Sequence, residues 1–173
     1  QTRTNRPAVA GIGASISLND ATITTSGTNG YVFIATTYRY TNSTDTWAAR
    51  ISTYASSECR GTCIDSVSGI ICGGTDNGVH LLSINYKFND SLNTIYIMTE
   101  IPHPVMEQGM PTFSKNGCIV SGGSTESYSI DKTVKFQPGF NTWVHLLPCP
   151  VSRDDTVTLS LTATKAIIAK GHY

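Results

Sequence analysis

The stretch "VKFQPGFNTW", Val134 to Trp143, has two earlier versions in the same chain: "YKFNDSLNTI", Tyr86 to Ile95, and "YRYTNSTDTW", Tyr38 to Trp47. Each stands 48 residues before the next. Aligned, Tyr38, Tyr86 and Val134 are followed by Arg39, Lys87 and Lys135, then by Tyr40, Phe88 and Phe136. Seven positions on come Trp47, Ile95 and Trp143, preceded by Thr46, Thr94 and Thr142 and by Asp45, Asn93 and Asn141. A fixed period in the range of 20 to 50 residues is the signature of a repeat architecture. A second marker recurs upstream, where the apolar runs "ATITTSG", "GIICGGT", "GCIVSGG" and "KAIIAKG" begin at Ala21, Gly69, Gly117 and Lys165, again 48 apart.

Within one unit the runs "GIICGG" and "GCIVSGG" are short, β-branched and stopped by glycine, which suits strands buried on both faces. "HLLSINYKF" and "YSIDKTVKF" alternate and carry aromatics, as half-buried strands do. The following Asn, Asp, Ser and Pro-Gly segment is turn chemistry, and Thr-Trp opens a third strand, as in "TWVHLL". Another strand precedes each glycine run, in "TCIDS", "MPTFSK" and "VTLSLT". Four short strands without helical periodicity predict one antiparallel meander per unit. Such a unit cannot bury both faces alone and must stack on its copies. Four strands per 40 to 50 residues predicts an all-β fold, a β-propeller of four-stranded antiparallel blades. The approximate repeats are 6–53, 54–101, 102–149 and a partial 150–173, about three and a half blades in a single propeller segment. The remaining blades are then expected from a longer chain or from neighbouring subunits.

The order of strand, glycine doublet (Gly73-Gly74 and Gly122-Gly123), aromatic strand, turn, Thr-Trp and "LLPCPVSR" resembles the kelch motif. The third row carries it best, with Gly122, Gly123, Phe136, Trp143, Pro150 and Arg153. The second row departs with Ile95 at the Trp position, and the first offers Ser26-Gly27 in place of the doublet. The resemblance covers nearly the whole chain. What it implies is fold, because kelch-like propellers host binding proteins and enzymes alike.

Composition narrows the partners. Charged residues make up 14% of the 173 residues, against about 25% in typical soluble domains, and the formal net charge is zero. There is no basic footprint for nucleic acid, and no apolar run long enough to span a bilayer. Two sequons, at Asn42 and Asn89, fall one position apart in the same turn of consecutive repeats and are candidate glycosylation sites. Together with a surface rich in Ser and Thr they point to an extracellular or cell-surface protein, with a cytoplasmic one as the alternative. Of the five cysteines, Cys72 and Cys118 lie in apolar runs and read as buried hydrophobes, leaving Cys59, Cys63 and Cys149 as disulfide candidates.

No catalytic motif is present, and the four histidines share no metal-ligand spacing. No catalytic residue, metal or cofactor is therefore assigned. The "TW" repeats lack the glycine of the sialidase aspartate box. Galactose oxidase resembles kelch proteins in its propeller, but too few histidines are present to assign copper ligands. Arg39, Lys87 and Lys135 sit between buried aromatics on the opposite strand face and read as packed or solvated strand cations. Loops after the glycine doublets, Thr75, Asp76 and Asn77 in one row and Ser124, Thr125 and Glu126 in another, are the candidate contacts for a protein or carbohydrate partner. The expected role is a non-enzymatic binding or scaffolding module. The alternatives are a structural subunit of an extracellular polymer or filament and part of a carbohydrate-active propeller enzyme, galactose-oxidase-like or glycosidase.

Overall fold

The structure, a computed structural model, describes residues 13–28, 32–54, 58–76, 79–106, 112–113, 117–162 and 165–169. Among these residues there are strands and turns and no helix. The first sheet joins β1 (Ala14–Ser17), β2 (Ala21–Thr25), β3 (Thr37–Thr41) and β4 (Thr46–Arg50) in chain order, every neighbour antiparallel. The second joins β5 (Arg60–Cys63), β6 (Ser68–Cys72), β9 (Asn85–Asn89) and β10 (Thr94–Ile97), with a small hairpin of β7 (Thr75–Asp76) and β8 (His80–Leu81) set between β6 and β9. The third joins β11 (Thr112–Phe113), β12 (Gly117–Ser121), β13 (Thr133–Gln137) and β14 (Thr142–His145), and β15 (Val157–Ser160) pairs with β16 (Ala166–Ala169). The all-β expectation and the four-stranded antiparallel units are thus present.

The third and fourth strands of the three sheets keep the period without error, beginning at 37, 85 and 133 and at 46, 94 and 142. The second strands do not. Pairing places Thr22 opposite Tyr40, Gly69 opposite Phe88 and Cys118 opposite Phe136, so Ser68 rather than Gly69 is the counterpart of Ala21. The segment between β6 and β9 is one residue longer than its two counterparts and absorbs the slip. The strands expected over "HLLSINYKF" and "YSIDKTVKF" are both interrupted: Leu82 and Ile130 N–H turn back to the carbonyls of Gly74 and Gly123, Gly73 and Gly122 N–H reach Ile84 and Lys132, and the continuous strands begin at Asn85 and Thr133.

The conserved spacing of Asp/Asn, Thr and Trp along this one chain has a physical cause. The four-residue loop between third and fourth strands ends in a left-handed residue, with φ of 53° at Asp45, 49° at Asn93 and 51° at Asn141. Asn and Asp adopt that conformation at lower cost than other side chains with a Cβ. Two of these side chains then reach the preceding sheet. Asn93 Oδ1 accepts the Ile51 N–H at 3.0 Å, and Asn141 Oδ1 accepts the Thr99 N–H at 2.8 Å. The indole of Trp143 donates to the Thr99 carbonyl at 2.9 Å while its ring lies 4.9 Å from Phe136 across the strands. Tyr40 and Trp47 make the same ring pair at 5.0 Å.

The sheets pack on one another through β6, whose consecutive isoleucines point to opposite faces. Ile71 joins Ile16, Ile23, Cys59 and Phe88 on the side of the first sheet, whereas Ile70 joins Val105, Cys118, Val134 and Phe136 on the side of the third. The approach is close enough that a Cβ on Gly69 would lie 2.5 Å from the Ile16 side chain. Arg39 is indeed a packed strand cation: its Nε donates to Asp90 Oδ2 at 2.8 Å in the turn of the second sheet, and Arg50 Nε lies 3.3 Å from the other oxygen.

Replacing Asn141 with Ala should lower stability by about 1–2 kcal/mol, the sum of left-handed strain and a lost hydrogen bond. Asn141→Gly, which relieves the strain but still lacks the bond, should recover roughly half of that loss. Urea denaturation of the three proteins measures this. Equal losses in Ala and Gly variants would show that the left-handed backbone contributes nothing.

Candidate binding groove

The glycine doublet is where the chain turns from a buried strand to the surface. Gly73 and Gly74 have φ of 66° and 98°, Gly122 and Gly123 of 67° and 107°. Ser26 and Gly27, at 59° and 108°, take the same path. The first row thus departs from the motif in sequence and not in conformation. Ser26 Oγ is tied to Thr53 Oγ1 at 2.8 Å and donates to the Tyr54 carbonyl at 3.0 Å, contacts that hold a side-chain-bearing residue in a glycine conformation.

In the third row the doublet builds a groove. Gly123 N–H bonds at 2.7 Å to the carbonyl of Arg153, as Gly74 N–H does at 2.9 Å to Val105. A Cβ on Gly122 would stand 2.6 Å from that Arg153 carbonyl oxygen, so no larger residue fits. Ser124 then exchanges backbone hydrogen bonds with Met106 and bridges to Ser129. The tip is closed by Thr125, whose N–H bonds to the Tyr128 carbonyl at 2.9 Å. Ser129 Oγ donates to Asp154 Oδ2 at 2.9 Å, which holds the 124–129 loop against the 151–154 segment. Between these parts and Met106 lies an open groove of about 670 Å³. Glu126 and Asp154 give it two carboxylates, and among the described residues lining it there is no Lys or Arg. Tyr128 stands on its rim, 67% exposed.

Three of the residues singled out in the sequence, Ser124, Thr125 and Glu126, line this groove. In the other row Thr75, the counterpart of Ser124, is likewise buried, at 2% exposed against 8%. Asp76 is occupied by His80, accepting its backbone N–H at 3.2 Å with the imidazole Nδ1 at 2.9 Å, and Asn77 lies outside the described residues. The β7–β8 hairpin is one residue longer than the Ser124–Ser129 loop, which closes by the equivalent bridge. Tyr128 and Asp154 were not singled out; Tyr128 falls in a stretch read as strand, and no spacing rule connects Asp154 with it.

The cysteines are joined in no disulfide. Cys59 lies in the core between the first two sheets. Cys149 stands where Thr53 stands two periods earlier. Its Sγ lies 2.8 Å from Ser121 Oγ, as Thr53 Oγ1 lies 2.6 Å from Thr25 Oγ1. It is a member of a repeated hydroxyl cluster. Burial pushes the Cys118 thiol up to about 12, in keeping with its reading as a buried hydrophobe. Of the sequon residues, Asn42 is exposed in its turn. Asn89 is partly buried, its amide donating to Ser68 Oγ at 3.3 Å and accepting the Leu92 N–H at 2.9 Å. Among the described residues no three His, Cys, Asp or Glu side chains gather to hold a metal ion. Among the described residues no helix is long and apolar enough to cross a membrane.

No family model matches the chain, and no curated protein matches it.

His103 anchors the segment that supplies Met106. It is 8% exposed, and its Nε2 is buried without a hydrogen-bond partner. Burial first, then the charges of Lys132 and His145, push its pKa from 6.5 to about 4. Between these values the unfolded chain binds a proton that the folded chain does not, so stability rises with pH across the window. Stability should therefore be full above pH 6.5 and fall towards pH 4 by at most about 3 kcal/mol from this group. His103→Gln should flatten that part of the profile in denaturant titrations at successive pH values. An unchanged slope in the variant would remove His103 as the cause.

Proposed function

We propose that the repeated sheets are blades of a kelch-like β-propeller and that the protein works as a non-enzymatic binding module outside the cell or on its surface, engaging a protein or carbohydrate partner through the groove beside Tyr128. The observation that carries the binding role is the construction of that groove. Its two walls are pinned by backbone hydrogen bonds to a glycine doublet, so the loop is displayed in one conformation, and fixing a loop before binding lowers the entropic cost of association. Hydroxyls, carboxylates and a projecting tyrosine are the groups that recognise sugars and peptide backbones. The blade reading is supported by equivalent contacts between successive sheets: Ile51 with Asn93 and Thr99 with Asn141, Gly74 with Val105 and Gly123 with Arg153. The exposed Asn42 turn supports the location.

The test is binding of the chain to an immobilised glycan array and to a library of unstructured peptides, repeated with Tyr128→Ala and Asp154→Asn. The proposal expects a bound class whose affinity falls at least about tenfold in either variant, the loss of roughly one hot-spot contact, with unchanged thermal stability. Binding indifferent to both substitutions, or chemical turnover of the bound glycan, would overturn it. Chain secreted from a glycosylating host should carry glycan on Asn42; an unmodified Asn42 would remove the support for the location.

A further inference from the structure

The groove beside Tyr128 is short of hydrogen-bond donors, and the shortage selects what it can hold. Three of the hydroxyls that line it have their protons committed within the molecule. Ser124 Oγ donates to the Thr125 carbonyl at 2.7 Å, Thr125 Oγ1 to the Tyr128 carbonyl at 3.0 Å and Ser129 Oγ to Asp154 Oδ2 at 2.9 Å. Thr125 Oγ1 also accepts the N–H groups of Ser127 and Tyr128. Among the described residues lining the groove there is no Asn, Gln, His, Trp, Lys or Arg. Ser127, Ser152 and the phenol of Tyr128 are left to donate, against two carboxylates that only accept. Nor is the negative charge neutralised from within. Among the described residues neither Glu126 nor Asp154 takes part in an ion pair, and Arg60, which reaches this segment, lies 3.4 Å from Asp155 instead. Glu126 is exposed; Asp154 is half-buried, where its charge is screened less by salt.

A ligand suited to such a site brings donors and positive charge. A sugar hydroxyl both donates and accepts, so a glycan would find acceptors in excess and few side-chain donors in return. An anionic sugar or a phosphopeptide would meet two like charges. A guanidinium carries five N–H donors in one plane, no acceptor and a permanent charge, and it stacks on aromatic faces. Tyr128 offers that face on the rim, between the loop that carries Glu126 and the segment that carries Asp154. We infer that the groove takes the guanidinium of an arginine, paired with Glu126 and Asp154 and stacked on Tyr128, and that its partner is an extended basic peptide. At about 670 Å³ the groove has room for more than one side chain, which is why the cation arrives on a peptide and not as a free amino acid. The inference rests on the binding role proposed for this groove and names the chemistry of the partner.

The experiment titrates the chain with capped octapeptides of one Gly-Ser sequence that carry arginine, citrulline or glutamate at two central positions, and with an uncharged oligosaccharide. Amide resonances of 124–129 and 151–154 report where each probe binds. The arginine peptide should shift these resonances and bind at least about tenfold more tightly than its citrulline analogue, which keeps the shape and loses the charge. The glutamate peptide should not bind. Glu126→Gln and Asp154→Asn retain an acceptor at each position, the one for Ser129 included, and remove the charge. Each should cost the arginine peptide about tenfold while leaving the citrulline peptide within about twofold, with thermal unfolding unchanged. An arginine peptide that leaves the groove resonances unmoved, or binds no better than its citrulline analogue, would overturn the inference. So would an arginine advantage that survives both substitutions. Oligosaccharide bound in the groove more tightly than the arginine peptide, and weakened by Tyr128→Ala, would overturn the cationic partner and leave the binding role of the groove standing.

Discussion

A strand that is apolar on both faces has to be covered twice, and β6 is such a strand. Ile70 and Ile71 are adjacent and equally buried, yet they belong to different cores because successive side chains in a strand leave it in opposite directions. Neither the first sheet nor the third could satisfy both residues. The second sheet is therefore held from two sides, and the requirement passes along the chain from one unit to the next. Full burial of each isoleucine is worth roughly 1.5–3 kcal/mol. The polar contacts at the rims, Arg39 to Asp90 and Thr99 to Asn141, set the register in which the faces meet.

This dependence accounts for what was legible beforehand. The outer half of each unit repeats without error because its residues serve backbone geometry. Asn141 must be left-handed and offer an acceptor, and Trp143 must pack on Phe136 and donate to Thr99. Those demands allow few residue types, so they show in the letters. The inner half is specified by burial alone, which many apolar residues satisfy, and the one-residue slip at Gly69 was hidden by its neighbours. Ser26 departs from the motif in letter and not in conformation for the converse reason. A doublet conformation is written as glycine in two rows, while in the first row hydroxyl contacts to Thr53 and Tyr54 hold serine there instead.

The groove was half legible. Its loop follows the glycine doublet, a position readable from the motif, and Ser124, Thr125 and Glu126 fall in it. Its other wall comes from the segment leading to β15, brought in by the Gly123 to Arg153 hydrogen bond. No local pattern announces a wall supplied from 30 residues away, and Asp154 was missed accordingly. Thr75 was chosen by the same rule as Ser124, and both are buried at the root of their loops, since the residue after the doublet pairs back across the loop in each row. Cys149 shows a related limit: a thiol that replaces a threonine in a hydroxyl cluster looks, in the sequence alone, like half of a disulfide.

The unifying claim is that successive sheets are locked by equivalent backbone contacts, and the amides of Gly74 and Gly123 report on it directly. Each is buried and donates to a carbonyl in the segment leading to the next sheet. Native-state hydrogen exchange should find both protected to the same degree as the amides of β6 and β12, since breaking the contact requires separating sheets. If the strand amides are protected while Gly74 and Gly123 exchange at the rate of an open loop, the sheets are independent of one another and the account fails.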